Sequence, residues 1–246
     1  MAPNFPEESL VTSTLKPLPA EPLISVMVVT YNQAHFIRET LDSILSQDYP
    51  HLEIVIADDA STDDTPRILE EYAARHPGRV KPILNQTNLG ITGNCNVALS
   101  GCTGDLIAVM GGDDLFLPGK LSKQVAAFRD NPDAALCYHP VDIFESKSNK
   151  TIFVTDQHAR EDIRSYQDII LKGGIAGASS VMIRPEAIPP ADSTNACLGS
   201  ATGSSISRLR CEAKSSRSMR SWGGIASMAS VPAIALWNYC MNRFMR

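Results

Sequence analysis

The chain has 246 residues, 43% hydrophobic and 20% charged, enough to bury one core, so one globular domain is the expectation. A formal net charge of -5 argues against broad nucleic-acid binding, which calls for a basic excess, and leaves small polar or phosphorylated ligands open. No run of about 18 apolar residues offers a membrane span, and six cysteines show neither a C-x-x-C pair nor a His at zinc spacing, so reduced thiols in a cytosol are expected.

Residues 1–22 carry acid early, prolines throughout and no apolar h-region, which excludes a secretory signal and reads as a flexible leader. From Leu23 the pattern alternates. LISVMVVTYN is a β-branched apolar run of the kind that forms a strand covered on both faces. In QAHFIRETLDSILSQDYP, Phe36, Ile37, Leu41, Ile44 and Leu45 fall at helical spacing until Pro50 stops them. LEIVIADDAS predicts a second strand. TDDTPRILEEYAARHPG predicts a helix with an acidic first turn, Pro66 near its start and Pro77-Gly78 past its end. RVKPILN, GDLIAVMGG and AALCYHP are further strand candidates, with helices over ITGNCNVALSG and GKLSKQVAAFRDNP. Strands alternating with helices mean an α/β fold, a mostly parallel sheet with helices on both faces. Ligands bind such sheets beyond the carboxyl ends of the strands, where the clusters TYN, DDAS and GGDD fall.

The acids in those clusters need a reason. Around Asp58 and Asp59 a capping role for Ser61 or Asp63 explains one carboxylate, yet the loop also holds Asp64. Asp113 and Asp114 follow a buried run, where two like charges repel and lose hydration unless a cation or donors compensate. Mg²⁺ or Mn²⁺ would compensate, since each accepts one or two carboxylates and fills its other positions with water and phosphate oxygens. Gly111 and Gly112 would let the backbone turn and a bulky ligand approach. The plain alternative is a solvated turn with spare acids.

The ordered set TYN, DDAS-TDDT, N-x-G, GDLI and DD resembles the amino-terminal half of a family 2 glycosyltransferase, over Leu23 to Tyr138. The resemblance implies the GT-A (nucleotide-diphospho-sugar transferase) fold, a Rossmann-like sheet, and a role in polysaccharide or glycoconjugate biosynthesis. It implies a nucleoside-diphosphate sugar donor, UDP-type by expectation, a divalent metal and inversion at the anomeric carbon. Tyr31 would lie against the base, with Thr30 and Asn32 shaping that pocket. Asp59 would accept from the base N–H, with Asp58 beside it. Asp113 would face the ribose or sugar, and Asp114 would hold the metal. Gly112 stands where the family often has an acid. The acceptor would be a glycan, a lipid-linked group or a protein, and the enzyme would be cytoplasmic or lie on the inner face of a membrane as a peripheral protein. A nucleotidyltransferase is disfavoured, because TYNQAH replaces the Gly-rich basic loop that cradles a triphosphate. A non-catalytic nucleotide-sugar-binding protein is the competing function.

An inverting transfer needs a carboxylate base at the acceptor hydroxyl. The resemblance implies an Asp followed by Trp in the last third, and this chain has none there. After GGIAGASSVMIRPEAIPP, which resembles the acceptor-side segment, the composition changes. From Asn195 to Arg246 there is one acid against seven bases, a charge of +6, which leaves -11 on the preceding residues. Serines crowd between Ser193 and Ser230 without a lasting period. The domain boundaries expected are therefore a glycosyltransferase domain over 23–192 and an aberrant, disordered tail over 193–246.

A shifted reading frame accounts for that tail. With codons rebuilt from the third base of one residue and the first two of the next, Ala201 to Arg208 permits Asp-Trp-Leu-Phe-His-Ile-Glu. Ser218 to Ala229 permits Asp-Glu-Lys-Leu-Gly-Arg-Tyr-Arg-Val-His-Gly, whose glycines are forced by the single codons of Trp222 and Met228. Both strings look like family motifs, in the right order and one frame, which puts the break between Pro190 and Ala196. A basic or membrane-adsorbing tail and an unusual native carboxyl-terminal domain are the alternatives. If the chain is complete in itself, Asp142, Glu145, Asp162 and Glu186 are the bases to test. His35, His51, His76, His139 and His158 are scattered and form no site.

Overall fold

The computed structural model describes residues 15–154 and 177–188, together with the strand backbone at 208–211 and 225–227. In chain order the elements are β1 (Ile24–Thr30), α1 (Ile37–Leu45), β2 (Leu52–Asp58), α2 (Thr65–Arg75), β3 (Val80–Leu84), α3 (Gly90–Ser100), β4 (Leu106–Gly111), β5 (Leu115–Phe116), α4 (Lys120–Asp130), β6 (Ala134–Cys137), β7 (Asp142–Glu145), β8 (Lys150–Val154), β9 (Met182–Ile183), β10 (Arg208–Cys211) and β11 (Ile225–Ser227). All nine elements anticipated up to Tyr138 are present, each within a few residues of its expected bounds.

One sheet runs β11-β6-β9-β4-β1-β2-β3. Its centre is parallel, with β1 between β2 and β4 and β3 beyond β2. Two short strands run against that direction. β9 inserts between β4 and β6, antiparallel to both, and β11 adds antiparallel to β6. A second sheet has the order β5-β10-β7-β8.

The β-branched runs form central strands because both of their faces are covered. Ile24, Val26 and Val28 of β1 join Ile54 and Ile56 of β2 under Ile37, Leu41 and Ile44 of α1, Leu69 and Tyr72 of α2, and Phe128 of α4. The alternate residue Met27 joins Ala57, Val109 and Ile183 against Cys95 and Ala98 of α3 on the opposite face. Every residue of β2 and β4 is buried. A helix C-terminus is closed as the sequence signals, with Gly78 in the left-handed region (φ 78°) after α2.

Two expected boundaries meet described residues. Within the leader, Leu18 packs against the core, Lys16 O accepts from Arg184 Nη1 at 2.8 Å and Pro22 O accepts from Tyr49 Oη at 2.7 Å. Residues 1–14 lie outside the described residues. In the tail, the backbone of β10 and β11 adds to the two sheets, and the remainder of the tail lies outside the described residues.

Candidate functional site

The parallel register lines up three strand ends: Thr30 pairs with Asp58, and Val29 pairs with Gly111. The loops that leave these ends are tied together by short bonds. Asp59 N donates to Thr30 O (3.0 Å), and Gly112 N donates to Val29 O (2.9 Å). Asn32 takes a left-handed conformation (φ 51°), which Asn tolerates better than most residues. In that pose its N–H donates to Ser61 Oγ (2.8 Å) and its Oδ1 accepts from Thr62 N (2.8 Å). Asp63 accepts from Ala34 N (3.0 Å) and Thr65 N (2.9 Å). Burial alone would raise the Asp63 carboxyl, but the bonds from Thr65 and Ala34 outweigh it and hold the group below the usual carboxylate range.

These contacts divide the acids of DDAS-TDDT by task. Asp58 closes its own turn, accepting from Ser61 N (2.9 Å) and Ser61 Oγ (2.5 Å). The helix-start role expected of Ser61 or Asp63 belongs to Asp63, which accepts the N–H of the first residue of α2, while Ser61 serves Asp58. Asp59 is 3% exposed and faces β3 and α3, where its Oδ1 accepts from Leu89 N (2.7 Å) and Asn85 Nδ2 (3.4 Å). Asn94 on α3, which the sequence did not single out, connects this group to the sheet by donating to Ala57 O (2.9 Å) and accepting from Asn85 (2.9 Å). The signal available was the recurrence of Asn at 85, 88 and 94 around the N-x-G motif.

At GGDD the protein itself limits what could replace the glycines. Neither takes a positive φ, and the requirement is steric. A Cβ on Gly112 would meet Gln33 Oε1 at 2.3 Å and Thr30 Oγ1 at 2.8 Å, so the space belongs to the protein's own side chains. A Cβ on Gly111 would meet Asp113 Oδ1 and Asp114 Oδ2, each at 3.1 Å, so both carboxylates fold back over this one bare position. Asp113 is half-buried and Asp114 is 3% exposed. Asp114 Oδ2 accepts from Ser179 Oγ, and Gly111 N donates to that hydroxyl (3.4 Å). Ser179 comes from the 178–180 turn, more than 60 residues along the chain, inside the GGIAGASSVMIRPEAIPP segment, where the sequence did not single it out.

Thr30, Tyr31, Asn32, Asp58, Asp59, Asp113 and Asp114 are thus brought to one end of the sheet. Tyr31 is 48% exposed there. Near Gly112, Thr30 Oγ1 and Gln33 Oε1 are buried without a hydrogen-bond partner among the described residues. Of the fallback bases, Asp142 is buried with Oδ2 accepting from Thr151 (3.0 Å) and Oδ1 without a partner, while Glu145 is exposed and accepts from Ser148 (2.6 Å). Glu186 is half-buried at the other end of β9, and Asp162 lies outside the described residues. His139 is buried, and desolvation followed by the nearby Lys120 charge drives it down to about 3, so it is a neutral core residue. Cys95 on α3 and Cys102 just past that helix pack in the same cluster, and burial pushes both thiols up to about 12.

The residues fit a hard divalent ion that relies on its substrate for part of its shell. Two carboxylates converge on Gly111, and among the described residues no trio of His, Cys, Asp or Glu builds a metal cage. No helix among the described residues is long and apolar enough to cross a membrane.

Comparison with known proteins agrees with this architecture. The model for Glycosyl transferase family 2 matches residues 25–183. An uncharacterized protein of Mycobacterium tuberculosis (strain ATCC 25618 / H37Rv) is 40% identical over 164 residues, 65% of this chain and 46% of that protein. An uncharacterized glycosyltransferase of Nostoc sp. is 32% identical over 156 residues, 62% of this chain and 47% of that protein. Chondroitin synthase of Escherichia coli is 36% identical over 132 residues, 54% of this chain and 18% of that protein. The chain spans about half the length, or less, of the curated relatives it matches. Among solved structures, S. aureus TarS 1-349 in complex with UDP superposes with a TM-score of 0.51 at 25% identity, covering 67% of this chain and 47% of that one. The mannosyltransferase PcManGT of Pyrobaculum calidifontis, in complex with GDP-Man and Mn²⁺, shares the fold, with a TM-score of 0.50 at 24% identity over 71% of this chain and 48% of that one. With its family model matched over most of the chain and its strands in the GT-A arrangement of these neighbours, the protein belongs to glycosyl transferase family 2.

Proposed function

We propose that this site binds a nucleoside-diphosphate sugar, UDP-type, with Mg²⁺ or Mn²⁺ on Asp113 and Asp114, for inverting transfer of the sugar to an acceptor hydroxyl of a glycan, lipid-linked group or protein. The observation that carries this reading is the convergence of both carboxylates over Gly111, at the strand end that also bears exposed Tyr31. Asp114 would hold the metal, with one of its oxygens fixed by the Ser179 hydroxyl, and the more accessible Asp113 would face the ribose or sugar. The bound ion would neutralise charge developing on the leaving diphosphate. Tyr31 offers a face for the base, Asp59 an acceptor for its N–H, and Thr30 and Asn32 the pocket floor. The unsatisfied Thr30 Oγ1 supports a polar ligand or water at that floor. In the cell we place the protein in the cytoplasm or at the inner face of the membrane.

This chain carries the donor half and lacks the base. We attribute the lack to a frame shift between Pro190 and Ala196; the family match, which ends at residue 183, is consistent with it. For the chain as it stands, the missing Asp-Trp pair favours donor binding without transfer.

Calorimetry of UDP with and without Mn²⁺ tests the site. Affinity is expected to need the metal and to fall about a hundredfold in Asp114→Ala, the scale on which a lost, buried carboxylate ligand counts. Equal affinity without metal removes the metal role. Turnover is expected only after a one-nucleotide correction of the frame, read as UDP release, since base and acceptor positioning are lost together. Inverting turnover by the unmodified chain rejects the frame-shift account.

A further inference from the structure

Behind the acidic turn lies a buried polar chain that none of the motifs accounts for. Gln124 of α4 is 0% exposed, as are Ser179 and Ser180, and Lys120 is 1% exposed. Gln124 uses both ends of its amide: Oε1 accepts from Lys120 Nζ (2.6 Å) and Nε2 donates to Ser180 O (2.9 Å). Lys120 also sits 4.1 Å over the Phe116 ring, two residues past the acids. The turn so gripped is the one whose Ser179 hydroxyl donates to Asp114 Oδ2 and receives Gly111 N. Side-chain amides in a helix interior normally face water; this one is enclosed and fully used, and what it fixes is the turn carrying Ser179.

We propose that Gln124 is a positioning residue for the carboxylate pair. By fixing the carbonyl of Ser180 it sets the 178–180 turn, and through Ser179 it sets the rotamer of Asp114, so that the oxygen not bonded to Ser179 presents toward the metal and diphosphate. The inference rests on the metal-site reading above. Ser179 is a partner one bond behind Asp114, the kind whose removal changes metal affinity by about 10–100-fold, and Gln124 acts through it.

The test measures Mn²⁺-dependent UDP binding by calorimetry, and bound Mn²⁺ by electron paramagnetic resonance, in the full chain. Gln124→Glu keeps an acceptor for Lys120 and loses the donor to Ser180; Gln124→Met keeps the volume and loses both bonds; Ser179→Ala removes the hydroxyl itself. Each is expected to weaken the Mn²⁺-dependent part of UDP affinity about tenfold, with binding of uridine measured without metal unchanged. Because Gln124 acts through Ser179, the double variant Gln124→Glu/Ser179→Ala is expected to lose about tenfold in all, not a hundredfold. A merely structural amide predicts otherwise: additive losses, or metal-free uridine binding falling in step with UDP, and either result overturns the proposal. If Gln124→Met does not fold, Gln124→Glu and Ser179→Ala carry the comparison. Unchanged Mn²⁺ affinity in those variants, with the unmodified chain metal-dependent, defeats the positioning role and leaves the metal site standing. Metal-independent UDP binding by the unmodified chain defeats both.

Discussion

The two ends of the central sheet bury acids in opposite ways. At the amino end, Glu53 of β2 is 4% exposed and surrounded by donors: Ser25 Oγ (2.5 Å), Lys81 Nζ (2.6 Å), and both N (2.7 Å) and Oγ1 (3.0 Å) of Thr103. Gly104 completes the enclosure, since a Cβ there would meet Ser25 N at 2.6 Å and Leu23 O at 2.7 Å. At the carboxyl end, two acids crowd one glycine, Tyr31 is half exposed, and Thr30 Oγ1 and Gln33 Oε1 have no hydrogen-bond partner among the described residues. A carboxylate surrounded by protein donors stabilises the fold. The end where two acids share one glycine is the end at which the proposed ligand would bind.

The largest effect expected from this contrast is in acid. Burial alone would raise Glu53, but bonds from Lys81, Ser25 and Thr103 overcome it and bring the group from 4.5 down to about 2. A folded-state value below the unfolded one means stability that is complete above about pH 4.5 and lost as pH falls toward 2, up to about 3 kcal/mol. His139 acts earlier. Its value of about 3 against the ordinary 6.5 makes the unfolded chain the better proton acceptor, so stability begins to fall below pH 6.5. Urea unfolding across pH 3–7 in the unmodified chain and in Glu53→Gln separates the two windows: the variant is expected to lose the lower step and keep the upper one. If Glu53→Gln also abolishes metal-dependent UDP binding while still folded, the two ends are not separable as described.

A middle-sized effect is expected where the site's floor meets the core. Gly112→Ala places a methyl against Gln33 Oε1 and Thr30 Oγ1, and overpacking of this kind costs about 1–3 kcal/mol. Thermal unfolding checks it, and an unchanged midpoint would show that Gln33 swings aside. Smallest is Tyr31→Ala, expected to weaken UDP binding by about 1 kcal/mol and to leave the unfolding midpoint unchanged, because the ring is half in solvent and contributes little to the core. A fall in stability with unchanged binding would assign Tyr31 to the fold instead.

The order of elements was legible because apolar periodicity is local. The runs at 24–30, 52–58 and 106–111 contain too many adjacent β-branched or aliphatic residues to leave a face in water, and each became a buried central strand. The clusters TYN, DDAS and GGDD were legible as one site for a related reason, since parallel strands joined by helices put their carboxyl ends on one edge. β5 and β9 could not be read. Each has two residues, too few for any period, and β9 exists only because β4 and β6 leave a slot between them.

Side-chain roles within the site were the harder part. From the sequence, capping by Ser61 or Asp63 accounted for one carboxylate and the resemblance turned Asp59 to the base, yet in the structure Asp58 and Asp63 both spend oxygens on neighbouring residues and Asp59 Oδ1 accepts from Asn85 and Leu89. Nor did the sequence show that Thr30, Gln33 and the acids themselves already fill the space beside Gly111 and Gly112. Hydrophobic pattern and chain direction therefore determined the sheet and the edge that bears the site, because they depend on neighbours in sequence. Only the tertiary structure decided which oxygen meets which donor, as Ser179 on Asp114 and Asn94 behind Asp59 show, because those partners lie 65 residues apart in one case and reach through a third residue in the other.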